Sequence, residues 1–216
     1  MKIILTPSYE ELLHSLGLDT PKALLDFTGG KCVSSHTRGA TYRIPLEDGR
    51  ILFLKKDFYT KPAVILQRLL HFQAPETNTE REVRLLENAR RLGFRVPVIL
   101  AYLQHTPWLP PRRGAMLQLA VEGTAVDTLV QDPYVLRETK EKALAKARET
   151  LTRLQEARID WKRDCKPEHF FYCPDGEIAL IDGERLYPVA KPLSREYRES
   201  QHQRFDSFLP PEYRRA

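Results

Sequence analysis

A chain of 216 residues, 42% of them hydrophobic, is long enough to bury a sizeable core as one domain or two tightly joined lobes, which excludes overall disorder. No stretch approaches the roughly 20 consecutive apolar residues of a membrane-spanning helix, and the opening Met1 to Pro7 is too short for a signal peptide, so a cytoplasmic location is expected. The 34 basic against 29 acidic side chains leave a formal charge of +5, which favours an anionic partner (nucleotide, acidic glycolipid, phospholipid surface or nucleic acid) without choosing among them.

After a strand-like opening, Ser8 with Glu11 three residues on forms a capping-box pattern ahead of Leu12, Leu13 and Leu16, predicting a short helix. Thr20-Pro21 supplies a cap and a first-turn proline for a second helix through Ala23, Leu24, Leu25 and Phe27, stopped by Gly29-Gly30. The pattern then turns extended: Cys32 to His36, Ala40 to Leu46 and Arg50 to Lys56, the last two joined by the hairpin signal Glu47-Asp48-Gly49. Ile51 to Lys56 reads as a buried central strand, because apolar side chains occupy both its faces until the lysines. Asn78 or Thr79 caps a helix whose apolar stripe is Val83, Leu85, Leu86, Ala89 and Leu92, closed by Gly93.

Strands are predicted at Val96 to Leu103 and Ala115 to Val121, with a proline-rich loop around Trp108 to Pro111 between them. Tyr134 to Arg158 is the longest helical pattern, rich in good helix formers and free of Gly and Pro. Its acidic and basic residues interleave, as on a solvated helix face, so it is not read as a nucleic-acid groove. Short strands His169 to Cys173 and Glu177 to Ile181 flank the turn Pro174-Asp175-Gly176, and from Pro188 the sequence reads as one short helix and a loose tail. This order predicts an α+β protein, with a sheet-rich N-terminal lobe over 1–118 and a helical C-terminal lobe over 119–216. Cys32, Cys165 and Cys173 are odd in number and form no C-x-x-C pair, so reduced thiols are expected.

The densest chemical signal is Trp161-Lys162-Arg163-Asp164-Cys165-Lys166-Pro167-Glu168-His169, followed by Ala179-Leu180-Ile181-Asp182-Gly183. Phosphoryl transfer to a hydroxyl needs a carboxylate that orients and deprotonates the acceptor, and ligands for the magnesium that bridges the phosphates. Asp164 suits the first task; Asp182, ending a strand, and His169 suit the second.

The run K-R-D-C-K-P-E-H is similar to the catalytic loop H-R-D-L-K-P-E-N of eukaryotic-like kinases, with Lys162 and His169 replacing the outer His and Asn. An Asp followed five residues later by His, then a strand ending Leu-Ile-Asp without Phe-Gly, resembles the bacterial lipopolysaccharide-core heptose and Kdo kinases, the WaaP and InaA-like family. Arg90-Arg91-Leu92-Gly93-Phe94-Arg95-Val96-Pro97 also resembles a phrase of that family.

This resemblance implies a protein-kinase-like bilobal fold with a reduced C-terminal lobe. Its cofactors would be ATP and Mg2+, and its acceptor a lipopolysaccharide-core sugar or other small sugar, with peripheral contact at the inner membrane and no nucleic acid. By position, Asp164 is then the base and Lys166 a stabiliser of the transferred phosphoryl group. His169 and Asp182 are the metal ligands. Lys55, with Lys56 as its competitor and strand alternation favouring Lys55, holds the phosphates with Glu82 as its helix partner. Arg38 and Gly39 lie on the phosphate-covering turn, which holds one glycine where kinases have three, and Leu119 and Val121 offer backbone groups to adenine. A pseudokinase, or a kinase for another small molecule or for protein tyrosine, is the alternative.

Overall fold

In a computed structural model, which describes residues 1–106 and 113–215, the apolar opening run forms strand β1 (Lys2–Leu5). The loop expected around Trp108 to Pro111 lies outside the described residues. The chain forms two compact units, Met1–Arg84 with Val98–Ala120, and Leu85–Pro97 with Val121–Ala216.

In the first unit, helix α1 (Glu10–Ser15) starts later than the Ser8–Glu11 pattern suggests. Pro7 opens a 3-10 turn over Pro7–Tyr9 that takes up Ser8, so Tyr9 precedes the helix without a side-chain cap and no capping box forms. Helix α2 (Pro21–Asp26) is capped as expected: the Thr20 hydroxyl accepts from the Ala23 amide at 3.1 Å. It ends before the glycines, at Phe27, whose backbone is already extended. Strands β2 (Lys31–His36), β3 (Gly39–Pro45) and β4 (Ile51–Asp57) pair antiparallel, and the turn at 47–49 is closed by Leu46 N donating to Arg50 O at 2.8 Å.

Helix α3 (Pro62–Leu70) has no counterpart in the sequence reading. No capping side chain at Lys61 marks its start and no glycine marks its end, so its boundaries carry little signal. Helix α4 (Asn78–Arg91) is capped one residue earlier than predicted: Thr77 Oγ1 accepts from Glu80 N at 3.1 Å, and Glu80 Oε2 accepts from Thr77 N at 2.8 Å, a reciprocal capping box. Val83, Leu85, Leu86 and Ala89 are buried, whereas Leu92, expected in the same stripe, is exposed past the helix end.

Strands β5 (Ile99–Gln104) and β6 (Gly114–Leu119) complete an antiparallel sheet of order β1-β5-β6-β4-β3-β2. Leu52 and Leu54 of β4 point into a core with Leu13, Leu18, Leu24, Leu100, Leu103 and Leu117. Each such side chain contributes about 1.5–3 kcal/mol on burial.

In the second unit, strand β7 (Thr124–Ala125) leads to helix α5 (Val126–Gln131) and the long helix α6 (Arg137–Glu156). Ala143, Leu144, Ala147, Leu151 and Leu154 give α6 a buried stripe at spacings of three and four. Strand β8 (Ile159–Asp160) precedes the catalytic-loop motif, and the hairpin β9 (Phe170–Tyr172) and β10 (Ile178–Leu180) follows it. Strand β9 also pairs with β7, and β11 (Tyr187–Pro188) pairs back onto β8. Leu180 N donates to Arg95 O at 2.9 Å, fastening the stretch after α4 to the hairpin.

The short helix expected after Pro188 forms, and the residues around it are more ordered than the loose tail expected there. Ser194 caps helix α7 (Arg195–Asp206), Phe205 is buried edge-on to Phe170, and Arg148 of α6 donates to Asp206 Oδ1 and to Tyr213 O, both at 2.7 Å. The sequence hides this because the buried face of α7 also carries polar residues, Gln201, His202 and Asp206, which bond to Asp160, Thr152 and Arg148 in turn.

Candidate active site

In the first unit, strand alternation decides where two adjacent lysines go. Lys56 shares the core-facing side of β4 with Leu52 and Leu54, is buried, and donates to Leu25 O at 2.8 Å and to Phe27 O. Burial, and secondly the Arg113 charge, push its ammonium pKa down. Lys55 faces the other way and its Nζ lies 2.5 Å from Glu82 Oε1 of α4. Charge-assisted contact of this kind fixes both groups.

The start of α4 is tied to the sheet at two further points. The buried Asp57, last residue of β4, accepts from Thr79 N at 2.7 Å, placing a carboxylate at the positive end of the helix. Glu80 accepts from His105 N at 2.7 Å, just beyond β5. Burial raises the Glu80 pKa, but the bonds from His105 and Thr77 outweigh it and the net shift is downward. Glu82 therefore meets Lys55 from a helix whose first turn is anchored. Asp57 was missed in the sequence, where it reads as a strand terminus.

Gly39 and Arg38 lie at the β2–β3 turn. A Cβ at Gly39 would strike the carbonyl of Lys56 on the neighbouring strand, so this glycine is required by close approach. Arg38 is exposed and its amide is held by His36 Nδ1 at 3.1 Å. Leu119 ends β6, its amide donating to Val98 O at 2.9 Å, and Val121 opens the second unit's main segment.

In the second unit, the motif 161–169 forms two 3-10 turns, Lys162–Asp164 and Pro167–His169. Buried Asp160 fixes the entry: its Oδ1 accepts from Lys162 N at 2.7 Å and from Gln201 Nε2 of α7 at 2.8 Å, and Lys162 adopts a left-handed backbone at φ 53. Asp164 is half-buried, with Oδ2 at 3.1 Å from Arg185 Nε; among the described residues its Oδ1 has only Lys166 Nζ, at 4.0 Å. Lys166 also meets Glu168 at 3.0 Å. Arg185 escaped the sequence reading, being one of many arginines. Its position three residues after Asp182, in the 3-10 turn Gly183–Arg185, is the only signal that marks it.

His169 is buried, stacked on Trp161 at 5.7 Å between ring centroids, and its Nδ1 lies 2.8 Å from the Asp164 carbonyl. A carbonyl oxygen only accepts, so Nδ1 donates and Nε2 is the ring atom left to face the neighbouring carboxylates. That nitrogen lies 3.8 Å from Asp182 Oδ2 and 3.5 Å from Glu168 Oε1. Asp182 itself sits in the left-handed region, φ 56, which Asp tolerates better than most residues, and a Cβ at the following Gly183 would meet the Leu86 side chain.

Two donors 3.8 Å apart fall within the roughly 4.2 Å that one cation with bonds of about 2.1 Å spans. Among the described residues no group of three or more His, Cys, Asp and Glu gathers into a metal cage. The pair therefore fits an ion held by few protein ligands plus substrate oxygens, the usual habit of Mg2+ in phosphoryl transfer. Cys165 is buried within the loop, its thiol pKa pushed far up by desolvation and then by Asp164, and it is inert as a nucleophile.

The family model of the lipopolysaccharide kinase (Kdo/WaaP) family matches residues 32–199, well over half of the chain. No curated protein matches it. Among solved structures, a chain described as WaaP in complex with acyl carrier protein is similar at a TM-score of 0.65 and 17% identity, covering 95% of this chain and 80% of that one. At that identity the likeness carries the fold, which is kinase-like and α+β. Members of the matched family are phosphotransferases acting on lipopolysaccharide sugars, and the chain belongs to the lipopolysaccharide kinase (Kdo/WaaP) family.

Proposed function

We propose that this kinase transfers the γ-phosphoryl group of ATP to a hydroxyl of a heptose or Kdo in the lipopolysaccharide core. The observation that carries the reading is the state of Asp164. Arg185 occupies one carboxylate oxygen and fixes the plane of the group, while the other oxygen remains able to accept the proton of a sugar hydroxyl. Lys166, near that second oxygen, neutralises charge building on the transferred group.

His169 and Asp182 hold Mg2+, which when bound neutralises phosphate charge. Through its Nδ1 bond to the Asp164 carbonyl, His169 also couples the metal-ligand position to the base. Lys55, aimed by Glu82, contacts the α- and β-phosphates; Arg38 and the backbone at Gly39 cover them, and backbone groups at Leu119 and Val121 meet adenine. The acceptor places the protein at the cytoplasmic face of the inner membrane. An acyl carrier protein, the partner of the similar WaaP chain, is a candidate partner here too, to be tested by co-purification.

The test is phosphate transfer from ATP to isolated core oligosaccharide: Asp164→Asn lowers kcat by about 10²–10⁴, and equal turnover by the variant sinks the assignment of the base. The single glycine in the β2–β3 turn favours a second reading, a pseudokinase in envelope biogenesis. A titration with Mg-ATP separates the two, since a ligand of the folded state raises the unfolding midpoint by an amount that grows with the logarithm of its concentration over Kd.

A further inference from the structure

Helix α3 turns its apolar side to solvent. At 3.6 residues per turn, Ala63, Leu66, Leu69 and Leu70 fall on one side, and Leu66 and Leu70 are 58% and 70% exposed, whereas Val64, Ile65 and Arg68 are half-buried. A surface helix ordinarily does the reverse.

The end of the helix adds an independent sign. Phe72 N donates to Leu69 O at 3.0 Å and Gln73 N to Arg68 O at 2.9 Å, a Schellman closure that puts Phe72 in the left-handed region at φ 53. Glycine takes that position without strain; here a phenylalanine occupies it, and the residue is 90% exposed. Strain and an uncovered aromatic at one residue have no return in the isolated chain. Phe58 and Tyr59, just ahead of the helix, are exposed as well.

Charge selects the occupant. From Phe58 to Pro75 there is no acidic residue, in a chain holding 29 of them, while Lys61 and His71 are exposed within the stretch. Arg68 is committed to Glu76 at 2.8 Å. An apolar ridge whose own segment carries basic and no acidic side chains, its one nearby carboxylate being neutralised by Arg68, suits the headgroup and acyl boundary of an anionic bilayer.

We infer that α3 and Phe72 form a docking surface for an anionic lipid bilayer, holding the protein at the membrane that carries its acceptor. The inference rests on the reading of lipopolysaccharide, itself a membrane glycolipid, as the substrate.

Co-sedimentation with vesicles of phosphatidylglycerol and phosphatidylethanolamine, against vesicles of phosphatidylcholine alone, tests it. The wild type pellets with the anionic vesicles, and the double variant L66E/L70E loses at least about tenfold in partitioning. Phe72→Gly also binds less, yet its unfolding midpoint is no lower than wild type, because glycine relieves the left-handed strain; this controls for misfolding. Delipidated core oligosaccharide is phosphorylated equally by wild type and L66E/L70E. Equal partitioning of wild type and L66E/L70E overturns the inference. So does a dimer in solution that L66E/L70E dissociates, since a second copy would then cover the face. If the wild type binds anionic vesicles through α3 but phosphorylates no soluble oligosaccharide, the docking surface stands and the kinase reading fails.

Discussion

Asp164 is held by its own side chain and by its own carbonyl, and these two constraints make separable predictions. Arg185→Gln frees the carboxylate to rotate, so kcat falls by about tenfold or more while KM for ATP changes little, and Arg185→Lys restores part of the loss. Steady-state kinetics with both substrates varied distinguishes this from a general loss of structure. The adjacent lysines of β4 divide in the same way. Lys55→Met abolishes most transfer, whereas Lys56→Met leaves turnover largely intact and costs about 1–3 kcal/mol of stability through lost bonds to the α2 carbonyls, read by denaturant unfolding.

Alternation along a strand made Lys55 legible in the sequence, as the spacing of Asp164 and His169 made the loop legible. Arg185 and Asp57 were not, because their partners are distant in the chain and each looks like an ordinary surface charge.

At the scale of elements, α4 fixes Glu82 against Lys55 within the first unit, and α7 braces the 161–169 loop within the second. The Thr77–Glu80 capping box and the Asp57 bond to Thr79 N fix the first turn of α4, so Thr77→Ala costs about 1 kcal/mol and weakens Lys55–Glu82 pairing, seen as a raised KM for ATP. Helix α7 reaches the catalytic loop through Gln201 and Tyr197 on Asp160.

His202, buried on the same helix with Nε2 3.2 Å from the Thr152 hydroxyl, has its pKa lowered by burial and then by Arg215. A depressed folded-state pKa means that the unfolded chain takes up the proton first as pH falls. Stability is thus retained above pH 6.5, the ordinary value, and declines as acidification proceeds toward the folded-state pKa. Unfolding midpoints measured across that range for wild type and His202→Gln check this, the variant showing the flatter dependence.

Elements with a clean period, such as α6 and the β3–β4 hairpin, were visible in the sequence. Helix α3 and the docking of α7 were not, since one carries apolar residues where solvent lies and the other buries polar ones. The Ser8–Glu11 pattern was present but lost to Pro7, which imposes a 3-10 turn before the helix begins.

For the molecule as a whole, the family match and the kinase-like fold fix the reaction class, and the site chemistry fixes which residues are put to the test. Removal of divalent metal with EDTA is expected to stop transfer and abolish the ATP-dependent rise in unfolding midpoint together, because the proposed pair His169 and Asp182 would meet the phosphates only through the ion they share. The most direct measurement is transfer of labelled phosphate from ATP to lipopolysaccharide core oligosaccharide in the presence of Mg2+, by wild type, Asp164→Asn and Asp182→Asn at matched folded concentrations. The account predicts incorporation at a single sugar hydroxyl by the wild type and a loss of about 10² or more in each variant. Turnover by either variant equal to wild type, or a wild type that incorporates no phosphate, contradicts it.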